Sequence, residues 1–427
     1  MIRRVLPVLL LFVLGGAPLE AQRLRDRIGE LFTFGTCGRP LCLDGSVNAA
    51  NGHGDHFIPD LIAGNAAVIR FVTDAIGASA SSVPLSAAGG GVTFRFVGGL
   101  PVRTAESSGP IFAERALTLG RGRVVLGSHL SGLSFTSIRG APLDDVVLNF
   151  THQDVGQPGL GDPVLENDLL QIKLDLDVKV QVASFFASWG VSDALDLGVA
   201  IPLVHSSIQG RSSGQIFPFG STAVHFFTGT PGTPGLRASA ATFGSSTGIG
   251  DIALRAKANL RGQERLSIGL LADARLPTGR EADFLGAGTF SIRTLALASS
   301  RWDEFTGHLN AGYLLRTGTD RRDAVLLTAG FDQLLASWAT LAVEVLTEWE
   351  TTRGQELPGT VTYAFPFLRT IEPTNIPDRR DDRAQAAIGF KFQARSGPTI
   401  VTNLLLPMLR GGLQPDVTWG LGLDFSF

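Results

Sequence analysis

The sequence predicts an all-β protein: a transmembrane antiparallel β-barrel of about 12 strands (12–14), with a small, partly helical N-terminal plug or cap segment. Three observations carry this expectation. The chain is 44% apolar with a positive mean hydropathy, yet beyond its first residues nothing approaches the roughly 20 apolar residues of a membrane helix. Long runs alternate strictly between aliphatic and polar side chains. The connections between those runs alternate between tight and long.

Residues 1–21 read as a secretory signal peptide. Arg3 and Arg4 precede the apolar run Val5–Leu14, and Gly15, Gly16 and Ala17 lead to a cleavage site after Ala21, with Ala17 as the alternative. An apolar core of about ten residues is too short to cross roughly 30 Å of hydrocarbon. Without Arg3, Arg4 and Glu20 the formal charge moves from −3 to −4, so nucleic acid is not an expected partner. Cys37 and Cys42 are the only cysteines. In an oxidising compartment they predict a short disulfide staple.

Residues 22–120 lack the paired-strand pattern. Leu24, Ile28, Leu31 and Phe32 suggest a short helix, and Ile58, Ile62, Ile69, Val72 and Ile76 follow helical spacing up to Gly77. A strand over Val92–Val97 follows the glycines at 89–91. The segment suits either a plug in a barrel lumen or a periplasmic cap.

Residues 121–427 carry the strands. Leu170, Ile172, Leu174, Leu176, Val178, Val180 and Val182 alternate with Gln171, Lys173, Asp175, Asp177, Lys179 and Gln181. Successive side chains of a strand face opposite sides, so one face is aliphatic and the other charged. The pattern recurs at 195–203, 252–260, 266–275, 304–313, 341–348, 388–393 and 417–427. With lipid on the aliphatic stripes, the opposite register lines a lumen: Lys173, Asp175, Asp177, Lys179, Arg255, Lys257, Asp273, Arg275, Glu304, His308, Asn310, Glu344, Glu348 and Lys391. Tight connections near 190–193, 261–264, 300–303, 335–338 and 395–398 oppose longer ones at 209–247, 278–286, 351–382 and 409–415. Short turns at one end and long loops at the other mark outer-membrane barrels. Trp189, Trp302 and Trp338 sit at tight turns, and Trp349 and Trp419 near long loops, as interfacial indoles do. A sheet edge in hydrocarbon would leave peptide groups unpaired, so the strands must close on themselves.

Other chemistry is weaker. His53, Asp55 and His56 cluster in a glycine-rich stretch, but a metal needs three or four converging ligands, and solvated loop is preferred. Gly244-Ser-Ser246-Thr-Gly248 matches a nucleophile pattern that requires a strand-to-helix elbow, which a long loop leading into a strand does not supply. His308 and Asn310 share the lumen register without a serine that can be placed beside them. No catalytic residue, metal or cofactor is assigned.

Phe427, ending an alternating strand, resembles the C-terminal signal read by the barrel-assembly machinery. Gly248-Ile-Gly-Asp251, Ala274-Arg-Leu-Pro-Thr-Gly279, Gly286-Ala-Gly288 and His308-Leu-Asn310, in that order, resemble the outer-membrane family named for the MetA pathway of phenol degradation. That family is similar to long-chain fatty-acid transporters. The resemblance spans roughly 170–427 and implies a bacterial outer-membrane channel that passes small hydrophobic or aromatic solutes, with outer-membrane lipid and the assembly machinery as partners. It carries over no ligand residue. A structural or adhesion barrel working through its long loops is the alternative, and an outer-membrane hydrolase the third.

Overall fold

The computed structural model describes residues 23–34, 40–43, 94–97, 100–103, 107–151, 168–218, 225–262, 265–318, 322–353, 356–357, 359–363, 369–393 and 398–427. Their centre is a closed antiparallel barrel of 12 strands. In chain order these are β1 (Val124–Ile138), β2 (Leu169–Ser192), β3 (Leu195–Phe217), β4 (Ala253–Gly262), β5 (Leu266–Arg275) and β6 (Ser291–Trp302). They continue as β7 (Phe305–Arg316), β8 (Ala324–Ala336), β9 (Ala339–Glu350), β10 (Arg383–Gln393), β11 (Thr399–Pro407) and β12 (Leu413–Ser426). Each strand pairs with its chain neighbours, and β12 closes on β1, with Ser426 opposite Val125. Phe427 and Val124 complete the seam with backbone bonds of 2.9 and 3.2 Å. Closure leaves no edge within the hydrocarbon, where every peptide group must be paired.

The outer face shows where lipid ends. On β3, Leu197, Ile201 and Leu203 are exposed, and the same register continues as His205, Ser207, Gln209 and Arg211. From Leu195 to Leu203 the strand rises about 26 Å at about 3.3 Å per residue, which a tilt near 40° reduces to roughly 20 Å, close to the apolar band of such barrels. Trp189, Trp302 and Trp338 are exposed at the tight-turn rim, with Trp349 and Trp419 nearer the other. Beyond Leu203 the sheet rises clear of the membrane. β2 and β3 stay paired from Ser192↔Leu195 to Leu169↔Phe217, and the strand Arg237–Ile249 runs along the upper part of β3. Pairing passes from Ile249↔Leu203 to Ala253↔Ala200, with one extra residue, where Gly250 N–H donates to Pro202 O at 2.8 Å. Most of the long connection expected over 209–247 is therefore strand.

This extension reverses one sequence expectation. Ile172, Leu174, Leu176, Val178 and Val180 are buried, whereas Lys173, Asp175 and Lys179 are exposed and Asp177 is half-buried beside Lys179, 2.6 Å away. The four charged residues thus face outward into water, not into the lumen. The reason lies in what the extension encloses. The helix α1 (Leu24–Glu30) buries Leu24 and Ile28, and with Leu31, Phe32 and Phe34 it joins one apolar core with the inner face of β2 and with Val204 and Ile208 of β3. Above the membrane the inside is apolar and the outside wet, the reverse of the arrangement within it.

The expected helix near residue 24 is present, and the strand expected at 92–97 is found at Phe94–Val97, paired with Leu100–Arg103. The signal peptide, Cys37, the His53–His56 cluster and the helix expected at 58–76 lie outside the described residues.

Candidate functional site

The lumen is crossed by the protein's own chain. Residues 107–119 are buried throughout except for half-buried Leu117, and they pass from β9 and β10 across to β3. The polar groups that hold them sit within a few residues of the tight turns, so the segment closes that mouth of the barrel. Glu344 of β9 accepts the consecutive N–H groups of Ile111, Phe112 and Ala113 at 2.5, 2.8 and 2.9 Å. Asn310 of β7 accepts from Glu114 N–H at 2.6 Å and donates to Glu114 O at 3.0 Å. Ser299 of β6 accepts from Ala116 N–H, and Asn259 of β4 donates to Ala116 O. Asp196 of β3 takes Leu119 N–H at 2.9 Å, and Thr340 and Lys391 bind the N–H and carbonyl of Ser108. An extended segment without a strand partner must find side chains for its peptide groups once water is excluded. The barrel wall supplies them. Gly389 of β10 makes room, because a Cβ there would lie 2.1 Å from Ile111 Cδ1.

Side chains of the segment join a second network. Arg115 lies 3.5 Å from Asp332 of β8, and Glu114 lies 2.5 Å from Arg255 of β4. Asp332 Oδ1 is 2.5 Å from His308 Nε2, and His308 Nδ1 is 3.0 Å from Ser299 Oγ. A serine, a histidine and an aspartate thus align inside the barrel. The serine that the sequence alone does not place is supplied by the two-residue turn after Trp302, which pairs Trp302 with Phe305 and so sets Ser299 opposite His308. Its hydroxyl already receives a peptide N–H of the plug, and the side chains of His308 and Asp332 are fully buried. The chemistry this supports is anchorage. The Gly244–Gly248 motif lies within the strand Arg237–Ile249, with Ser246 opposite Ser206, so no elbow exists there.

Above the plug, guanidiniums crowd the wall of β4–β7 and β10. Asp273 of β5 binds Arg255 at 2.8 Å and Arg293 of β6 at 3.1 Å. Arg316 of β7 pairs with Glu348 of β9, which stands opposite Arg383 of β10. Closer to the long-loop rim, the resemblance motifs meet. Asp251 accepts from Gly279 N–H at 3.0 Å and from Ala287 N–H at 2.7 Å, while Thr278 Oγ1 donates to Gly250 O at 2.6 Å. This clamp turns the connection after β5 inward and buries Phe284 and Leu285 in the core that holds α1.

Of the residues expected to line the lumen, Arg255, Lys257, Asp273, Arg275, His308, Asn310, Glu344, Glu348 and Lys391 occupy the inward register. Several of them hold the plug or a neighbouring charge. Lys173, Asp175, Asp177 and Lys179 face outward, as described above. Glu304 is exposed in the turn after Asp303, whose φ of 50° reverses the chain, so it lies beyond the alternating register. Asp196, Asn259, Ser299, Asp332 and Thr340 were not anticipated, because nothing in a strand pattern marks which inward residues will meet the plug. Phe427 is exposed on the outward register at the barrel seam.

A profile of the family described as putative MetA-pathway of phenol degradation matches residues 155–403. The chain belongs to this family. The matched stretch runs from before β2 into β11, and the residues of the Asp251 clamp fall within it. No curated protein matches the chain. Among solved structures it is similar to the COG4313 outer membrane channel from Pseudomonas putida F1, at 12% identity over 73% of this chain and 98% of that one, with a TM-score of 0.44. It is also similar to a FadL homologue of Pseudomonas aeruginosa, at 13% identity over 71% and 89% with a TM-score of 0.30. The CymD monoaromatic hydrocarbon channel follows at 8% identity over 72% and 88%, with a TM-score of 0.29. The protein is a closed 12-strand barrel whose lumen is filled across the tight-turn mouth by residues 107–119.

Proposed function

We propose that this protein passes small hydrophobic or aromatic compounds passively across the bacterial outer membrane, through a lumen that opens when residues 107–119 leave it. The observation that carries the reading is the way the plug is held. Its peptide groups bond to side chains on at least five different strands, by hydrogen bonds worth about 0.5–1.5 kcal/mol each in net terms where the partner is neutral and about 1.5–3 kcal/mol where it is charged, and among the described residues no ladder ties it to the barrel. Such contacts can be exchanged for water without unfolding any barrel strand. The family's description names phenol degradation, which agrees with an aromatic solute.

Proteoliposomes test the proposal. Influx of benzyl alcohol or phenol should exceed that of protein-free vesicles, and substitution of Glu344, the acceptor of three plug N–H groups, should raise it further. A correctly folded barrel that admits neither solute, with or without Glu344, would favour a structural or adhesion role for the extension and its loops.

A further inference from the structure

The lipid-facing stripe of β11 ends in an arginine. Ile400, Leu404 and Leu406 are exposed on its outward register, and exposure still alternates past the end of the strand, with Met408 and Arg410 exposed and Leu409 half-buried. On β12 the neighbouring stripe runs from Phe427 to Val417. That is about 33 Å of strand at about 3.3 Å per residue, which a tilt near 40° reduces to roughly 25 Å, the height of the apolar band of such barrels. Leu404 pairs with Trp419, so Leu406 and Val417 lie level at the upper edge of the lipid. Arg410 stands just above that edge, where the polar heads of the outer leaflet begin.

A second guanidinium reaches the same place. At Gly140, in the turn after β1 with a φ of 89°, a Cβ would lie 3.5 Å from Arg410 Cδ and 3.7 Å from Arg379 Nη1. The stem of Arg410 and the guanidinium of Arg379 therefore meet over one glycine, and both residues are exposed. The acids of this rim are engaged elsewhere. Asp378 holds Arg353 at 2.6 Å, and Asp381 holds Arg139 at 2.8 Å. Asp382 holds Arg380 at 3.0 Å and accepts from Glu350 N–H, while Asp416 accepts from the Thr136 hydroxyl at 2.8 Å. Among the described residues neither Arg379 nor Arg410 has a side-chain hydrogen bond or an ion pair. Like charges this close repel unless an anion lies between them.

We infer that Arg379 and Arg410 clamp a phosphate monoester on the head of an outer-leaflet glycolipid, whose acyl chains lie along the stripe from Ile400 to Met408. A phosphate monoester carries a charge of about −1.5 to −2 near neutral pH, which two guanidiniums match, whereas the phosphodiester of an ordinary phospholipid carries a single charge. Each guanidinium fork can also bind two phosphate oxygens at once. Inorganic phosphate would gain the clamp but forgo the stripe. The site faces away from the lumen, so the inference is independent of solute transport.

Native mass spectrometry of the detergent-solubilised full chain tests it, with diphosphoryl lipid A, the same lipid dephosphorylated, phosphatidylglycerol and inorganic phosphate as probes. Phosphorylated lipid A should bind at least tenfold more tightly than any of the others. The double variant Arg379→Gln, Arg410→Gln should remove that preference, and the double lysine variant should restore part of it. Arg121→Gln, which alters an exposed arginine at the tight-turn rim, should change nothing. Heat-modifiable electrophoretic mobility would confirm that each variant keeps its barrel. Equal binding of the phosphorylated and dephosphorylated lipids, or a preference that survives the double glutamine variant, overturns the site. An equal loss in Arg121→Gln would reduce the effect to general charge and overturn it too. Inorganic phosphate binding as tightly as the lipid would make this a free-anion site and overturn the glycolipid assignment.

Discussion

Asp251 and Gly286 are locked together: a Cβ on Gly286 would lie 2.3 Å from Asp251 Oδ1 and 2.8 Å from Gly279 Cα. The carboxylate reaches the N–H groups on either side of this contact, at Gly279 and Ala287, only because residue 286 has no side chain. Two segments far apart in the chain are thus one structural device, which turns Phe284 and Leu285 into the core around α1. Asp251→Ala should leave two peptide donors without their acceptor, each costing about 1–3 kcal/mol. Gly286→Ala should be comparably damaging through the clash. Urea unfolding of the protein in lipid vesicles would show both, and a midpoint equal to the native one for either would refute the clamp.

The plug gives a prediction for conductance. Glu344→Ala removes the acceptor of three consecutive peptide N–H groups while leaving the outward face of β9 intact. Single-channel current in planar bilayers should rise in frequency or amplitude, and Glu344→Gln, which keeps one accepting oxygen, should fall between. Unchanged current in both variants would mean that the segment is fixed by other means.

A different anchor governs the long-loop mouth. Arg139, fully buried at the top of β1 with a φ of 48°, binds Asp381 through Nε at 2.8 Å and Nη2 at 2.9 Å. Asp381 also accepts from Gly412 N–H, so a single arginine ties the connection 351–382 to the β11–β12 connection. With Arg139→Ala, protease added to intact cells should cut 351–382 several-fold faster while the barrel resists. Identical cleavage rates would show that the loop is held elsewhere, for instance at the Leu148↔Thr374 bridge.

The membrane boundary on β3 can be tested with one substitution on each side. Val199 lies midway along the apolar belt, and an arginine there should cost about 2–4 kcal/mol of folding stability, as at a bilayer midplane. Ser207→Arg, four outward positions further along the same register, should change stability by less than about 0.5 kcal/mol. Equal costs would place the boundary elsewhere.

Much of this was legible in the chain. Strict alternation at 195–203 and 417–427 found lipid-facing stripes, because a strand sends successive side chains to opposite sides whatever surrounds it. Turn lengths ordered the strands, and the tryptophans marked the rims. The charged run Lys173–Lys179 misled for a physical reason. Alternation reveals that two faces differ, but not which of them meets water, and β2 crosses from the membrane into an extension where the apolar face looks inward.

By itself, then, the sequence determined local geometry: where strands run, where they turn, and that no spanning helix substitutes for them. Those are properties of neighbouring residues, set by backbone periodicity and the solvation of peptide groups. Only the tertiary structure decided what fills the barrel. That Glu344 holds Ile111, that Ser299 meets His308 beneath Ala116, and that α1 lies against the strand Arg237–Ile249 are contacts between distant parts of the chain. No local pattern encodes them, because each partner is acceptable in many surroundings and becomes specific only when closure of the wall excludes water.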